Sequence, residues 1–174
     1  MKKWTVQSTE QVIKDKWIDV RADSCRTGQG VLVEPFYTYH PKNWVLVAAE
    51  TKSGEWLIVR QYRHGIQEFD YEFPAGNCES QDKPLETAQR ELLEETGYGL
   101  GDWSFVRRWP FNTANHSNFV FGFLARNVEK IAEVQWDENE EIEVLLWTKE
   151  KIKKAVEEGK VQNPFHQLLT YIIF

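Results

Sequence analysis

The sequence GNCESQDKPLETAQRELLEETGY, residues 76–98, carries a glycine near each end and an unusually dense set of carboxylates between them. Residues three or four positions apart share one face of a helix, so Glu91, Glu94 and Glu95 are expected to cluster on one side. Arg90 can pair with Glu94 at the same spacing. Clustered carboxylates repel one another unless cations lie among them, and hard divalent ions such as Mg2+ prefer oxygen ligands. Taken alone, the stretch is also compatible with an ordinary solvated helix face.

Most of the remaining chain shows patterns typical of β-strands. Strands are expected over residues 17–25, 30–40, 43–50, 55–62, 69–76, 103–109, 118–126 and 142–147. Helices are expected over residues 85–96, 149–160 and 164–174. Pro84 and Gly97 suit the first turn and the C-terminal stop of the first helix. One helix between hairpins and two at the end indicate an α+β sandwich rather than a doubly wound parallel sheet.

Composition restricts the class of protein further. The 174 residues suffice for one domain with a core, and 41% of them are hydrophobic, which is typical of a globular chain. The net charge of -6 argues against nucleic acid as the main partner, but metal ions can still bring a phosphate substrate to an acidic pocket. Two cysteines, no signal peptide and no apolar run long enough for a membrane span favour a cytoplasmic protein without a membrane partner.

The spacing of the acids and glycines resembles the Nudix box. The matching positions are Gly76, Asp82, Arg90-Glu91, Glu94-Glu95, Gly97 and Tyr98. One position departs from the pattern, because Asp82 stands where the box has Glu. The upstream segments VRQYRHG and EFPAG and the downstream segment DENEEIEV extend the resemblance to the ADP-ribose pyrophosphatase branch of the Nudix family.

The resemblance implies a metal site on the box helix. Members use Mg2+ or Mn2+, and the implied ligands are Glu91, Glu95 and the backbone carbonyl of Ala75. Glu94 would contribute to catalysis, and Arg90 would orient the acids. A glycine at position 76 suits this arrangement, because it lets the backbone approach the carboxylates closely.

The acidic run QWDENEEIEV, residues 135–144, resembles a loop that covers the site in this branch. The resemblance implies that Glu138 is the general base and Glu140 a further metal ligand. Glu141 is the alternative if the register slips by one residue. A solvated charge run is the other interpretation of this segment.

The resemblance also implies a set of substrate contacts. Arg63 would contact the diphosphate, for which a forked, permanently charged donor is well suited. Glu72 would support the metal loop or the substrate. Glu34 would read the base or cross a dimer interface. Several aromatic residues are candidates for stacking on the base, with core packing as the alternative for each: Trp17, Phe36, Tyr37 and Trp44.

The implied protein is a Nudix hydrolase with an α/β/α sandwich, a mixed sheet, the box helix and extra N-terminal antiparallel strands. Residues 1–40 would form a dimerising strand region and residues 41–174 the hydrolase domain of a homodimer. The implied substrate is a nucleoside diphosphate sugar, foremost ADP-ribose, cleaved to AMP and ribose 5-phosphate. A different sugar nucleotide such as a GDP-sugar, or a non-catalytic nucleotide-binding regulator on the same fold, remain open as alternatives.

Overall fold

The computed structural model describes residues 1–79, 83–134 and 141–174. The strands are β1 (Thr5–Lys14), β2 (Asp19–Arg26), β3 (Leu32–Tyr39), β4 (Asn43–Thr51), β5 (Trp56–Arg63), β6 (Glu68–Glu72), β7 (Ala75–Cys78), β8 (Tyr98–Gly99), β9 (Asp102–Pro110), β10 (Phe119–Lys130) and β11 (Ile142–Trp147). The helices are α1 (Pro84–Thr96), α2 (Lys149–Glu157) and α3 (Pro164–Ile173). Of the helices in these ranges, none is long and apolar enough to cross a membrane.

The first of two compact units comprises Met1–Asn43 and Trp109–Phe119. It contains a three-stranded antiparallel sheet in the order β1-β2-β3. Strand β1 was not expected from the sequence, because its segment TVQSTEQVIK is largely polar and is exposed along its whole length. Backbone pairing with β2, rather than a buried face, defines this strand. The extra N-terminal antiparallel strands are therefore present, with one more than the sequence pattern indicated.

The second unit comprises Trp44–Arg108 and Val120–Phe174. Its sheet is mixed: β4 runs parallel to β10, whereas β5 pairs antiparallel with β11 and β6. The core of this unit packs the sheet against α1 through the side chains of Val45, Val47, Ala49, Leu57, Ala88 and Leu92. The mixed sheet with helices confirms the predicted α+β class.

The expected strand over residues 69–76 is divided in two by Phe73 and Pro74. Proline cannot donate a ladder hydrogen bond, and the N–H of Phe73 donates instead to Nδ1 of His166 at 3.0 Å. The Pro74 carbonyl accepts from the N–H of Val47 at 2.9 Å. As a consequence, β6 pairs with β5, whereas β7 pairs with β4. This break directs the chain toward α1, where Ala75 contacts Glu95 and Gly76 approaches Glu91.

Helix α1 has the ends that its sequence predicts. Pro84 occupies its first turn. Gly97 adopts a left-handed conformation with φ 76°, and its N–H donates to the carbonyl of Leu93 at 2.8 Å. Thr87, Ala88 and Leu92 are buried, which leaves the side of the helix that bears Arg90 and Glu94 accessible.

Candidate active site

A cavity of about 1030 Å3 lies in the second unit between α1, the ends of β5 and β6, the start of β7 and the segment before α3. Carboxylates predominate among the described residues that line it. The acidic side chains are Asp70, Glu72, Glu79, Glu91, Glu94 and Glu95, and the basic ones are Arg63 and Arg90. The cavity is therefore strongly acidic before any cation enters it.

Gly76 brings the backbone directly beneath the box helix. A Cβ atom placed on this residue would overlap the carboxylate of Glu91. A larger side chain would fit between the loop and Glu91 only if the carboxylate or the loop shifted, so close approach rather than the φ angle favours glycine here. The same approach places the peptide group that links Ala75 to Gly76 beside this acid.

Ala75 and Glu95 connect the same loop to the next turn of the helix. The backbone N–H of Ala75 donates to Oε2 of Glu95 at 3.1 Å. Both residues are buried, and the Glu95 side chain retains only 6% exposure. A carboxylate buried this deeply needs hydrogen bonds or cations around it, which makes Glu95 unsuitable as an ordinary surface acid.

Arg90 holds the two other acids of the cluster. Its Nη2 donates to Oε1 of Glu91 and its Nη1 donates to Oε2 of Glu94, each at 2.7 Å. Partial burial lowers the pKa of Arg90, but the two carboxylates outweigh this effect and raise its pKa above the ordinary value. The arginine thus holds both acids through hydrogen bonds, and its role in supporting a metal site stays a prediction.

The donor atoms have the chemistry that a hard divalent cation requires. Glu91, Glu94 and Glu95 supply carboxylate oxygens, and the close approach at Gly76 adds loop backbone to the same wall. Within residues 1–79, 83–134 and 141–174, no three His, Cys, Asp or Glu side chains form a complete metal-binding group by themselves. The described oxygens therefore suit part of a divalent-cation site, which would also need backbone oxygens or other residues.

Arg63 and Glu72 form a bidentate ion pair in the lining of the same cavity. The guanidinium donates from Nε and Nη2 to the two carboxylate oxygens of Glu72 at 2.5 and 2.6 Å. Glu72 is 2% exposed, whereas the Arg63 side chain is 39% exposed toward the cavity. Burial lowers the pKa of Arg63, but Glu72 outweighs it, so its pKa lies above the ordinary value. The pair presents a fixed positive group to an otherwise acidic cavity.

The structure brings seven of the predicted site residues together around this cavity. They are Arg63, Glu72, Ala75, Arg90, Glu91, Glu94 and Glu95. Glu34 and Phe36 lie on β3 in the first unit, where Glu34 accepts from Ser24 Oγ at 2.5 Å and Phe36 packs edge-on against Trp4 at 5.8 Å. Asp82, Glu138 and Glu140 lie outside the described residues.

Other lining residues were not identified from the sequence. Asp70 precedes Glu72 by two positions on β6, so strand alternation could have placed both on one face. Its carboxylate accepts from the N–H groups of Gln162 and Asn163 at 2.8 and 3.2 Å, and burial raises its pKa. No local pattern predicts this contact, because the partners lie at the start of α3. Trp44, one of the aromatic candidates, also lines the cavity.

Comparisons with known proteins agree with this geometry. Residues 39–167 match the NUDIX domain model, and residues 4–39 match the nucleoside diphosphate sugar hydrolase N-terminal domain. The chain is 31% identical over 155 residues to an ADP-ribose pyrophosphatase of Bacillus subtilis (strain 168), covering 88% of this chain and 83% of the relative. It is 25% identical over 156 residues to a methanol dehydrogenase activator of Bacillus methanolicus, covering 89% and 84%.

The fold has a close counterpart among solved structures. A crystal structure of an ADP compounds hydrolase superposes with a TM-score of 0.88 at 19% identity, covering 99% of this chain and 93% of that one. At this identity the superposition establishes the fold, and the family model establishes membership. With the acidic box helix, the glycine loop and a domain match over residues 39–167, the chain belongs to the Nudix family of hydrolases.

Proposed function

We propose that this hydrolase cleaves the diphosphate of a nucleoside diphosphate sugar, foremost ADP-ribose, to AMP and ribose 5-phosphate. One observation carries the proposal: the buried Glu95 and the adjacent Glu91 meet the Ala75–Gly76 loop in the same cavity that Arg63 lines. Acidic side chains able to hold a cation, together with a permanently charged guanidinium group in the same cavity, suit a diphosphate. The names of the pyrophosphatase and N-terminal domain matches support the same substrate class.

The proposed cation is Mg2+, with Mn2+ as a possible replacement. Members of the Nudix family generally use divalent ions, and the oxygen donors of the box helix fit them. Glu91, Glu95 and the Ala75 carbonyl would hold the ion, with Glu140 as a further ligand. A divalent ion bound there neutralises charge on the phosphate oxygens and lowers the pKa of bound water.

The protein groups have separate tasks in the proposed reaction. Arg63 uses Nε and Nη2 for Glu72, so its Nη1 is the group that would donate to the diphosphate. Glu138 would take a proton from the attacking water as its oxygen bonds to one phosphorus. The bond from that phosphorus to the bridging oxygen breaks, and the second product leaves as a phosphate monoester. Arg90 keeps Glu91 and Glu94 in place during these steps.

The first unit is proposed to serve dimerisation and base recognition. The boundary proposed from the sequence divides residues 1–40 from 41–174, and the N-terminal domain match covers residues 4–39. Val6, Val12 and Ile13 are exposed on β1, and a second copy of the chain would cover apolar groups of this kind. Glu34 and Phe36 are proposed contacts to the base. A cytoplasmic homodimer that binds neither nucleic acid nor membrane is the assembly consistent with this proposal.

A non-catalytic regulator is the second candidate. The name of the Bacillus methanolicus relative, an activator of another enzyme, is the observation that favours it. The carboxylates of Glu91, Glu94 and Glu95 favour the enzyme, since a protein that only binds nucleotides has no need to maintain all three. A GDP-sugar hydrolase would use the same metal wall and differ in the base contacts.

A substrate panel separates these candidates. Purified protein is mixed with ADP-ribose, a GDP-sugar and ADP alone in Mg2+, and nucleotide binding and product formation are both measured. The proposal predicts hydrolysis of ADP-ribose with the highest kcat/KM. Tight binding of ADP-ribose without products would indicate the regulator, and faster cleavage of the GDP-sugar would indicate the other substrate.

A further inference from the structure

His166 is a fully buried histidine on α3 that sits behind the wall carrying Arg63 and Glu72. Its Nδ1 accepts a hydrogen bond from the backbone N–H of Phe73 at 3.0 Å. Trp44 contacts its ring edge-on at 5.4 Å, and the Phe73 ring stacks on it at 6.2 Å. Because Nδ1 is an acceptor, the proton of the neutral ring must lie on Nε2.

The Nε2 atom points into the ion pair of the cavity wall. It lies 3.4 Å from Oε2 of Glu72, and in the described part of the chain it has no well-aligned hydrogen-bond acceptor. A buried N–H group without a well-aligned partner costs free energy, which other contacts in the fold must offset. Here the one carboxylate within reach is the group that holds the guanidinium of Arg63.

Charge balance is consistent with a neutral ring at this position. Burial lowers the pKa of His166 to about 4, Glu72 opposes this shift and Arg63 adds to it. A neutral imidazole leaves the single negative charge of Glu72 balanced by the single positive charge of Arg63. A second cation would compete with the arginine for the same buried oxygens.

The geometry points to His166 as a positioning residue that holds Glu72, and through Glu72 the Arg63 guanidinium, in the orientation that receives the diphosphate. This inference rests on the proposed contact between Arg63 and the substrate. Arg63 pairs with Glu68 on β6, whereas Glu72 pairs with Val59, so the ion pair between Arg63 and Glu72 spans four positions of the ladder and depends on the orientation of a long arginine side chain. The contact from His166 fixes the carboxylate of Glu72, and Glu72 in turn orders Arg63 before substrate arrives. Less conformational entropy of the long Arg63 side chain is then lost when substrate binds.

Two conservative variants separate the two contacts of the ring. In His166→Asn the amide can replace Nδ1 as the acceptor for Phe73 but has no group at the position of Nε2. In His166→Gln the longer amide can place a donor near Glu72 but leaves the Phe73 N–H unpaired. Leu169→Ala, at a fully buried position one turn away on α3, provides a control for destabilisation of the helix.

Steady-state hydrolysis of ADP-ribose and thermal unfolding are measured for all three variants. A positioning role predicts that His166→Asn keeps a Tm near wild type yet raises KM about three- to tenfold, the range expected when the polar contact between Nε2 and Glu72 is lost. His166→Gln and Leu169→Ala should both have a lower Tm than the wild type. Both should keep a KM close to that of the wild type. If KM follows Tm across the three variants, His166 serves helix packing alone and the inference is wrong.

A double-mutant cycle with Arg63→Ala completes the test. If His166 acts through Arg63, adding His166→Asn to Arg63→Ala produces no further rise in KM. Independent, multiplicative effects would overturn the inference while leaving the contact between Arg63 and substrate intact. An Arg63→Ala variant with wild-type KM would instead refute the proposed role of Arg63, and the positioning role with it.

Discussion

The N–H of Ala75 donates to the carboxylate of Glu95 at 3.1 Å, so the glycine loop and the acidic helix meet at one buried contact. Gly76, the next residue, has no room for a Cβ beside Glu91. The loop therefore contacts the helix at two successive turns. This double contact explains why the sequence needs its glycine and its acids at a fixed separation.

Glu95→Gln removes the charge of the proposed metal ligand while its amide oxygen can still accept from Ala75. Mutation of a residue that only supports a metal ligand lowers metal affinity or activity about 10–100-fold. Loss of a ligand itself should therefore lower kcat/KM by at least about 100-fold. The free energy of unfolding should change little. Activity titrated against Mg2+ checks this expectation, with Glu86→Gln, an exposed acid paired with Lys83 on the same helix, as the control. Wild-type turnover at limiting Mg2+ would remove Glu95 from the ligand set.

Gly76→Ala introduces a methyl group where the Glu91 carboxylate lies, so the loop or the acid must shift. We expect a higher Mg2+ concentration for half-maximal activity and a kcat at least about tenfold lower, since small displacements of catalytic groups are costly. Gly54→Ala is the matched control, because it strains a left-handed turn with φ 83° in open space away from the cavity. It should lose stability and keep its Mg2+ requirement. Equal Mg2+ requirements in both variants would contradict the close-approach argument.

Arg63→Lys keeps a positive charge but loses the planar fork that pairs with both oxygens of Glu72. We expect kcat/KM for ADP-ribose to fall about tenfold or more, mainly through KM, because lysine cannot bind Glu72 and a phosphate with the same geometry. Arg60→Lys on the same strand is the control, since Arg60 pairs with Glu143 and does not line the cavity. Unchanged kcat/KM for every cleaved substrate would exclude Arg63 from substrate binding.

The box helix could be predicted because its information is local. Helical spacing places Glu91, Glu94 and Glu95 together, and Pro84 and Gly97 limit the helix at both ends. Strand alternation could likewise have placed Asp70 and Glu72 on one face of β6. That this face lines the cavity is known only from the structure.

Contacts between distant segments could not be predicted in this way. His166 meets Phe73 across 93 positions of sequence, and a lone histidine on an apolar helix carries no signal of that partner. Strand β1 was overlooked for a different reason: it buries no face, so its polar sequence lacks the alternation from which strands are recognised. The roles of Glu138 and Glu140 remain predictions from the sequence.

His166 also predicts how stability depends on pH. Its pKa is about 4 in the folded chain and about 6.5 when unfolded, so the unfolded state binds more protons between these values. The contribution of His166 to the free energy of unfolding is fully present above pH 6.5. It declines as the pH falls toward 4, by up to about 3 kcal/mol. Asp70 has a raised pKa, so its contribution to stability changes with pH in the opposite direction. This contribution is present in both the wild type and the His166 variants.

Denaturant unfolding between pH 4 and pH 7 checks this dependence. The free energy of unfolding of His166→Asn should vary less with pH than that of the wild type, because Asn does not titrate. Parallel curves for the two proteins would show that His166 does not remain neutral in the fold.

We propose above all that this acidic cavity hydrolyses a nucleotide sugar with the help of a divalent ion. Chromatography of the products formed from ADP-ribose by the wild-type chain, with Mg2+ and then with excess chelator, tests it directly. We expect AMP and ribose 5-phosphate in equal amounts with Mg2+, and neither product after chelation. Undiminished cleavage in chelator, or bound ADP-ribose that stays intact in Mg2+, would contradict it.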